Sequence, residues 1–374
     1  MSRSVGRVSW MTLPGGLPEY PGGHRLRWHV FESLPRKRAV NEVTPSRVWH
    51  DPNEVPSQLA PGVVTIGNFD GVHRGHRRVI DSLVSYANAH DLVPRALTFH
   101  PPPRHVMTGS EEPMLITGYE DRNSLVCAAG VADLLDVNFT LEFAQLTAEN
   151  FVREYLVELL GARAVVLGKD SRFGRRNEGD FQTMVDLGKK YAFDVISVEE
   201  LDADIEGKVG EGVRISSTLV RESLLAGDTV EAARMLGRWH TVRDTVRHGF
   251  KRGRELGFPT ANFSAHPSGA VPIDGVYAGY FSVLDGDRFL DRVPATISVG
   301  TNPTFEEGPA HRIVETYVLG SHEYELYDRQ AQVEFVERLR PTLAFDGIEA
   351  LVEQMHRDVA VTRSTLAAHG DPCA

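Results

Sequence analysis

VVTIGNFDGVHRGH, residues 63–76, decides the fold of the first half of this chain. Val63 to Ile66 form a short β-branched run. Gly67 to Gly75 read as a turn, and from His76 onward Val79, Ile80, Leu83, Val84 and Ala87 recur on one helical face. A strand, a glycine-rich turn and a helix in that order open an α/β unit. Gly67, Gly71 and Gly75 let the backbone turn sharply and lie close to a ligand. His73 and His76 flank the start of the helix, where free N–H groups attract anions, and two imidazoles add donors that suit a triphosphate. Two surface or capping histidines are the competing reading. The position at a strand end favours a ligand, because open α/β sheets bind ligands beyond the carboxyl ends of their strands.

Working outward, Ala96–Phe99, Ala132–Val137, Ala164–Leu167 and Phe193–Val198 read as further strands, with helices at Glu149–Leu160 and Asp180–Tyr191. Together they predict a doubly wound α/β domain, closed by helices at Leu219–Leu225 and Thr229–Leu236. The character changes near Arg238–Thr241. Beyond it Val242–His248, Gly275–Leu284, Val293–Val299, Ile313–Leu319 and Gln332–Phe335 are strand-like and separated by Gly or Pro turns, which predicts a small antiparallel β-barrel. Ile348, Leu351, Val352 and Met355 place a C-terminal amphipathic helix over Gly347–Val359. The expected domains are 47–238 and 241–362. An N-terminal extension, 1–46, rich in Pro and Gly, is expected to be disordered, and 363–374 forms a C-terminal tail.

The 374 residues suffice for two cores. No apolar run approaches the ~20 residues that cross a bilayer, so the chain reads as soluble, with no membrane partner. A formal charge of −11 argues against general nucleic-acid binding, while leaving room for a local basic pocket. Cys127 and Cys373 are the only cysteines, so neither a disulfide framework nor a zinc site is expected, and a reducing, cytoplasmic setting follows. A monomer or weak homo-oligomer is expected.

Two further elements belong with the histidine turn. In RISSTLVRESL, residues 214–224, the hydroxyls of Ser216, Ser217 and Thr218 precede an apolar-periodic helix, with Arg221 one turn in. Capping alone explains the hydroxyls. Beside the histidines, they and the guanidinium can also hold a departing pyrophosphate as its charge grows. GKDSRFGRRNEGD, residues 168–180, places Asp170, Arg172 and Gly174 at another strand end, with a charged surface loop as the alternative.

These motifs resemble those of the bifunctional riboflavin kinase/FAD synthetases of bacteria, from about Trp49 to Val359. The family's Gly-x-Phe-Asp-Gly-x-His-x-Gly-His stands here as Gly67, Phe69, Asp70, Gly71, His73, Gly75 and His76. Its Ile-Ser-Ser-Thr-x-x-Arg stands as Ile215 to Thr218 with Arg221. The resemblance implies a nucleotidylyltransferase-like first domain that adenylylates FMN to FAD: the FMN phosphate attacks the α-phosphorus of ATP and pyrophosphate leaves. His73, His76, Ser217, Thr218 and Arg221 would hold the phosphate chain, with Asp170 among the ATP contacts. Two departures stand out: TFHPPP at 98–103 puts His100 and Pro102 where the family has Asp and His, and Ser171 replaces an aromatic residue.

The second motif is GFPTANF, 257–263, where Pro259 fixes an extended turn presenting a hydroxyl and an amide side chain, oxygen ligands that suit Mg2+. Upstream, Gly249 and Gly253 with Lys251, Arg252 and Arg254 form a cationic loop that can fold over a nucleotide; the alternative is an exposed basic hairpin. In IVETY, 313–317, strand alternation turns Glu315 and Val314 to opposite faces. By the same resemblance, Glu315 is the general base that takes the ribityl 5'-hydroxyl proton of riboflavin, and Thr260 and Asn262 contact magnesium and ATP. GVYAG, GTNPTF and LYD fit the family in order, while Asp244 and Phe250-Lys251 depart from it. The implied protein is a flavoprotein-type transferase using riboflavin, FMN and ATP. A riboflavin kinase with a weakened adenylyltransferase, or a flavin-binding carrier without turnover, are the alternatives.

Overall fold

The computed structural model describes residues 46–109, 114–199, 214–247, 257–264, 266–285, 288–301, 312–320 and 326–369. The N-terminal extension and the Gly249–Gly253 loop lie outside them.

The first sheet is parallel throughout, in the order β1 (Arg47–Trp49), β4 (Asp133–Asn138), β3 (Val93–His100), β2 (Gly62–Ile66), β5 (Ala162–Gly168), β6 (Asp194–Val198). The chain moves outward from β2 through β3 to β4 and then returns to place β5 on the other side of β2. The strand order therefore reverses between β2 and β5, and the loops leaving those two strands, Gly67–His73 and Lys169–Gly174, share the crevice that such a reversal opens. Edge strand β1 is an addition to the expected set; three residues carry too little periodicity to announce themselves.

Helix α1 (Arg74–His90) buries Ile80, Leu83 and Ala87 against the sheet, as the apolar spacing requires. Asp91, left-handed at φ 54°, ends it. Helices α2 (Pro103–Thr108) and α3 (Tyr119–Ala128) follow β3. The expected helix at Glu149–Leu160 is α-helical only over Ala148–Phe151 (α4) and continues as a π-helix through Val152–Leu159, still burying Val152 and Leu156. Helices α5 (Phe181–Tyr191), α6 (Ser217–Ala226) and α7 (Thr229–Leu236) complete the unit.

Being covered on both faces, the sheet buries its charged residues as well. Arg95 is 1% exposed, and Asp133, its partner at 2.9 Å, is 2% exposed; Arg95 also donates to the carbonyls of Ala60 and Leu160 at 2.9 Å. Asp136 accepts from Arg122 at 2.8 Å and Asn123 at 2.9 Å, which ties α3 to β4. A buried charge persists only when paired in this way.

The second sheet is antiparallel, ordered β7 (His240–Thr245), β12 (Gln330–Arg340), β9 (Gly275–Asp285), β10 (Arg288–Thr301), β11 (Arg312–Val318), β8 (Ala261–Asn262). It curls until its two edges meet, through a bridge between Arg247 and Asn262 and a hydrogen bond from Asp244's neighbourhood: Asp244 accepts from the Ser264 amide at 2.6 Å. Tyr277, Phe281, Ile297, Val314 and Phe335 fill the interior. Helix α8 (Ile348–Ala368) runs past the expected end at Val359. Leu366 is buried, and Thr362 bonds Thr296 at 2.8 Å, so part of the expected tail packs on the barrel.

The two sheets form one compact unit, Thr44–Ala374. Ile116, Leu224, Met235 and Ala270 share a buried cluster, Thr229 donates to the Val336 carbonyl at 2.8 Å, and Asp121 pairs with Arg243.

Arg95→Met, similar in bulk and uncharged, leaves Asp133 buried with its inner oxygen unpaired; urea denaturation followed on the α/β core is expected to show a loss of about 3–5 kcal/mol. No measurable loss would show that Arg47 alone satisfies the carboxylate.

Candidate active sites

The first site is built on a strained turn. Phe69, Gly71 and Val72 have φ of 51°, 81° and 41°. A valine in the left-handed region is unusual, so the surroundings must hold it there. Phe69 and Val72 are buried at 2% and 1% exposure. Asp70 supplies the rest. Its carboxylate accepts from the amides of Ile116 at 2.9 Å and Thr117 at 3.4 Å and from Arg221 at 2.6 Å, while its carbonyl accepts from the Ser217 hydroxyl at 2.8 Å. Burial raises the Asp70 pKa, opposed by Arg221 and the two amides. On the outer side Arg238 donates to the carbonyls of Gly71 at 2.6 Å and Val72 at 3.3 Å.

The turn delivers His73 as the N-cap of α1: its Nδ1 accepts from the His76 amide at 3.3 Å. With Nδ1 an acceptor, the neutral ring carries its proton on Nε2, which makes Nε2 a donor. The His73 and His76 rings stack at 3.7 Å, and Phe69 meets His76 edge-on at 5.4 Å. Two imidazolium cations would repel in that geometry. Burial, then Arg214 and Arg238, lowers the His73 pKa to about 4; burial, then His73 and Arg214, puts His76 well below its ordinary value. Both rings are therefore neutral near pH 7. A side chain at Gly75 would crowd the His73 ring at 3.1 Å, and one at Gly67 would meet the Phe69 ring at 3.0 Å.

Arg221 and Ser217 both reach the turn through Asp70, and Ser216 caps α6 by accepting from the Leu219 amide at 3.2 Å. Thr218 is exposed in the first turn of α6. Asp170, just beyond β5, pairs with Arg214 ahead of Ile215. The three sequence elements thus converge at the ends of β2 and β5. His100 packs edge-on against Tyr119 at 3.8 Å, Pro102 precedes α2, and the Ser171 amide closes a turn onto the Gly168 carbonyl at 3.1 Å.

The second site lies on the outside of the barrel. Asn262 on β8 stands directly opposite Glu315 on β11, so both side chains share one face. Val314 and Thr316 point inward and are fully buried. The Asn262 amide nitrogen donates toward Thr260, 3.2 Å to its carbonyl and 3.4 Å to its hydroxyl, which leaves Asn262 Oδ1 facing away from that turn. Glu315 is open to solvent at the barrel surface, yet enough protein surrounds its carboxyl for desolvation to raise its pKa. Phe258 holds the Pro259–Thr260 turn in place: it is 4% exposed and packs 5.0 Å from both Tyr317 and His356 of α8. Gly249 and Gly253 lie outside the described residues. A hydroxyl, an amide oxygen and a carboxylate on one face form a donor set that fits a hard divalent cation.

The sequence pattern of the FAD synthetase family matches residues 55–218, and that of the riboflavin kinase family matches residues 236–366. A bifunctional riboflavin kinase/FMN adenylyltransferase of Listeria monocytogenes is 36% identical over 323 residues, covering 85% of this chain and 94% of that protein. The chain belongs to this bifunctional family. The Escherichia coli K12 member is 33% identical over 314 residues, 84% of this chain and 95% of that one. A crystal structure from Streptococcus pneumoniae described as a macrolide-efflux protein shares the fold, with a TM-score of 0.74 and 27% identity over 85% of this chain and 99% of that one. Among the described residues here, no helix is long and apolar enough to cross a membrane.

Two residues escaped the sequence reading. Asp70 stood inside the family motif without a role of its own, although a carboxylate between two positive-φ residues in an otherwise apolar turn needs partners. Phe258 carried no signal beyond its neighbour Pro259.

A pH titration followed by proton NMR of the imidazole Cε1–H in the ligand-free protein is expected to leave His73 unmoved from pH 8 to 5.5. A midpoint near 6.5 would contradict the buried, neutral pair. Because unfolded histidine binds its proton near 6.5 and folded His73 and His240 only near 4, the stability contributed by keeping these two rings neutral is fully present above pH 6.5 and is lost as the pH falls toward 4.

Proposed function

We propose that the α/β half, residues 47–238, carries out adenylyl transfer at the histidine turn and the barrel, residues 241–362, carries out the kinase step at Glu315. Riboflavin is phosphorylated to FMN in the second half of the chain and FMN is adenylylated to FAD in the first. The observation that carries this reading is that each family's pattern falls on a half with its own converged set of phosphate-directed groups. Nothing in the structure favours a kinase with a weakened adenylyltransferase or a carrier without turnover.

In the barrel, the ribityl 5'-hydroxyl attacks the γ-phosphorus of ATP, its proton passes to Glu315, the new O–P bond forms, and ADP leaves. A carboxyl whose pKa is raised by burial is a stronger base than a free glutamate. Thr260 and Asn262 would hold Mg2+, which when bound neutralises phosphate charge. The glycines of the preceding loop, Gly249 and Gly253, are assigned to nucleotide contact.

In the α/β half, an FMN phosphate oxygen attacks the α-phosphorus of ATP and pyrophosphate leaves. No covalent intermediate is required, so the protein contributes alignment and charge stabilisation. His73 and His76 offer neutral N–H donors to the phosphates, the amides at the start of α1 add to them, and Thr218 and Asp170 line the approach. The glycines Gly67, Gly71 and Gly75 allow the backbone to come close, and Phe69 steadies the His76 ring. Arg221 and Ser217 are assigned to the leaving pyrophosphate, for which Arg221 redistributes its bonds from Asp70.

Chromatography of flavins after incubation with ATP and magnesium tests each half. Glu315→Gln is expected to slow FMN formation from riboflavin by about 10²–10⁴-fold, while leaving FAD formation from supplied FMN unchanged. The acid limb of kcat/KM for riboflavin, set above the ordinary glutamate range in the unmodified protein, disappears with it. Unchanged riboflavin phosphorylation would remove Glu315 from the mechanism. His76→Ala is expected to lower FAD formation by about 10²–10³-fold and to spare the kinase step; equal loss of both steps would show a folding defect instead.

A further inference from the structure

A cavity of about 540 Å³ opens where the first turns of α1 face Leu125 of α3 and the Leu236–Arg238 corner. Four arginines line it, Arg74, Arg77, Arg78 and Arg238, against the single carboxylate of Asp81. Its walls are apolar at Val72, Leu125 and Leu236. Among the described residues, none of those assigned to either transfer reaction lines it.

Arg74, Arg77 and Arg78 are exposed, and among the described residues the fold gives their charge no partner. Arg74, Arg77 and Arg78 are spaced three and four apart and so share one helix face, where like charges repel. They sit in the N-terminal half of α1, at the end whose dipole disfavours cations. No side-chain hydrogen bond or ion pair to a described residue relieves any of the three, and Asp81 makes none within 4 Å. In a chain with a formal charge of −11, a hollow lined by four arginines and one carboxylate is an exception. Guanidinium groups pair with phosphate through two parallel N–H donors, and several converging forks select ligands with more than one phosphate.

We propose that this cavity binds a small molecule carrying two or more phosphate groups, at a position separate from both transfer sites. The concave shape and the apolar walls favour a small ligand over a flat protein surface. The site also touches the reaction centre. Arg238 donates to the Gly71 and Val72 carbonyls, so a ligand in the cavity shares that guanidinium with the turn that carries His73.

Inorganic pyrophosphate is the probe. Equilibrium binding is counted per chain for the full-length protein and for the Arg77→Ala/Arg78→Ala variant, with both turnover rates measured on the same preparations. The variant is expected to bind one equivalent fewer, or to bind that equivalent about tenfold more weakly after losing two charge-assisted contacts, while both rates stay unchanged. Equal stoichiometry and affinity in the two proteins would overturn the proposal. Loss of pyrophosphate binding together with adenylyl transfer would overturn it too, because the cavity would then be part of the transfer site. Should the variant fold poorly, crystals of the unmodified protein soaked in tungstate decide the matter: density between Arg77 and Arg78 supports the site, and a cavity without it refutes the proposal.

Discussion

The carboxylate of Asp70 is the constraint on which the adenylyl-transfer half depends. The Gly67–His76 turn asks Phe69 and Val72 to adopt left-handed backbone, a conformation worth of order 1–3 kcal/mol of strain at each non-glycine position. Burial of the Phe69 and Val72 side chains offsets part of this, and Asp70 fixes the remainder by joining the turn to two separate pieces of chain: Ile116–Thr117, and the start of α6 through Ser217 and Arg221. The result is a helix start whose first side chain, His73, is buried and stacked rather than waving in solvent. Neutral imidazoles follow from that burial, and neutral N–H donors can meet a polyphosphate without first surrendering hydration as ions.

The same segment that holds Asp70 also holds the barrel. The Ile116 amide donates to Asp70 while the Ile116 carbonyl accepts from the Ala270 amide at 3.4 Å, and five residues further on Asp121 pairs with Arg243 of β7 and accepts from Ser268. Ser268 in turn pairs backbone to backbone with Arg243 of β7, just beyond which Arg247 bridges Asn262, the partner of Glu315. One short stretch, Ile116–Asp121, therefore touches the support of both candidate sites. Among the described residues, no hydrogen bond or ion pair links the first site to Glu315.

The sequence announced what glycine, imidazole and strand alternation can announce. The glycine and histidine turn was legible from its place at a strand end, with His73 also serving the capping role that the sequence left open, and the outward placement of Glu315 from its alternation with buried Val314. What escaped were features whose cause is tertiary. The β1 strand is three residues long, β8 only two, and the π-helical winding of Val152–Leu159 leaves the apolar pattern of an ordinary helix almost intact. The buried Arg95–Asp133 pair did leave a trace, a charge inside each of two apolar strands that a parallel sheet must cover on both faces. Reading those two charges together would have paired β3 with β4. The extension of α8 to Ala368 rests on Thr362 and Leu366, whose partners on the barrel no local pattern reveals.

Mixing two inactivated proteins tests most directly whether the chain holds two independent transfer centres. Glu315→Gln and His76→Ala proteins are combined in equal amounts with riboflavin, ATP and magnesium, and flavins are separated over time. The account predicts that the His76→Ala protein alone stops at FMN, the Glu315→Gln protein alone leaves riboflavin untouched, and the mixture produces FAD. A mixture that accumulates FMN without FAD, or a Glu315→Gln protein that makes FMN at the unmodified rate, would contradict it.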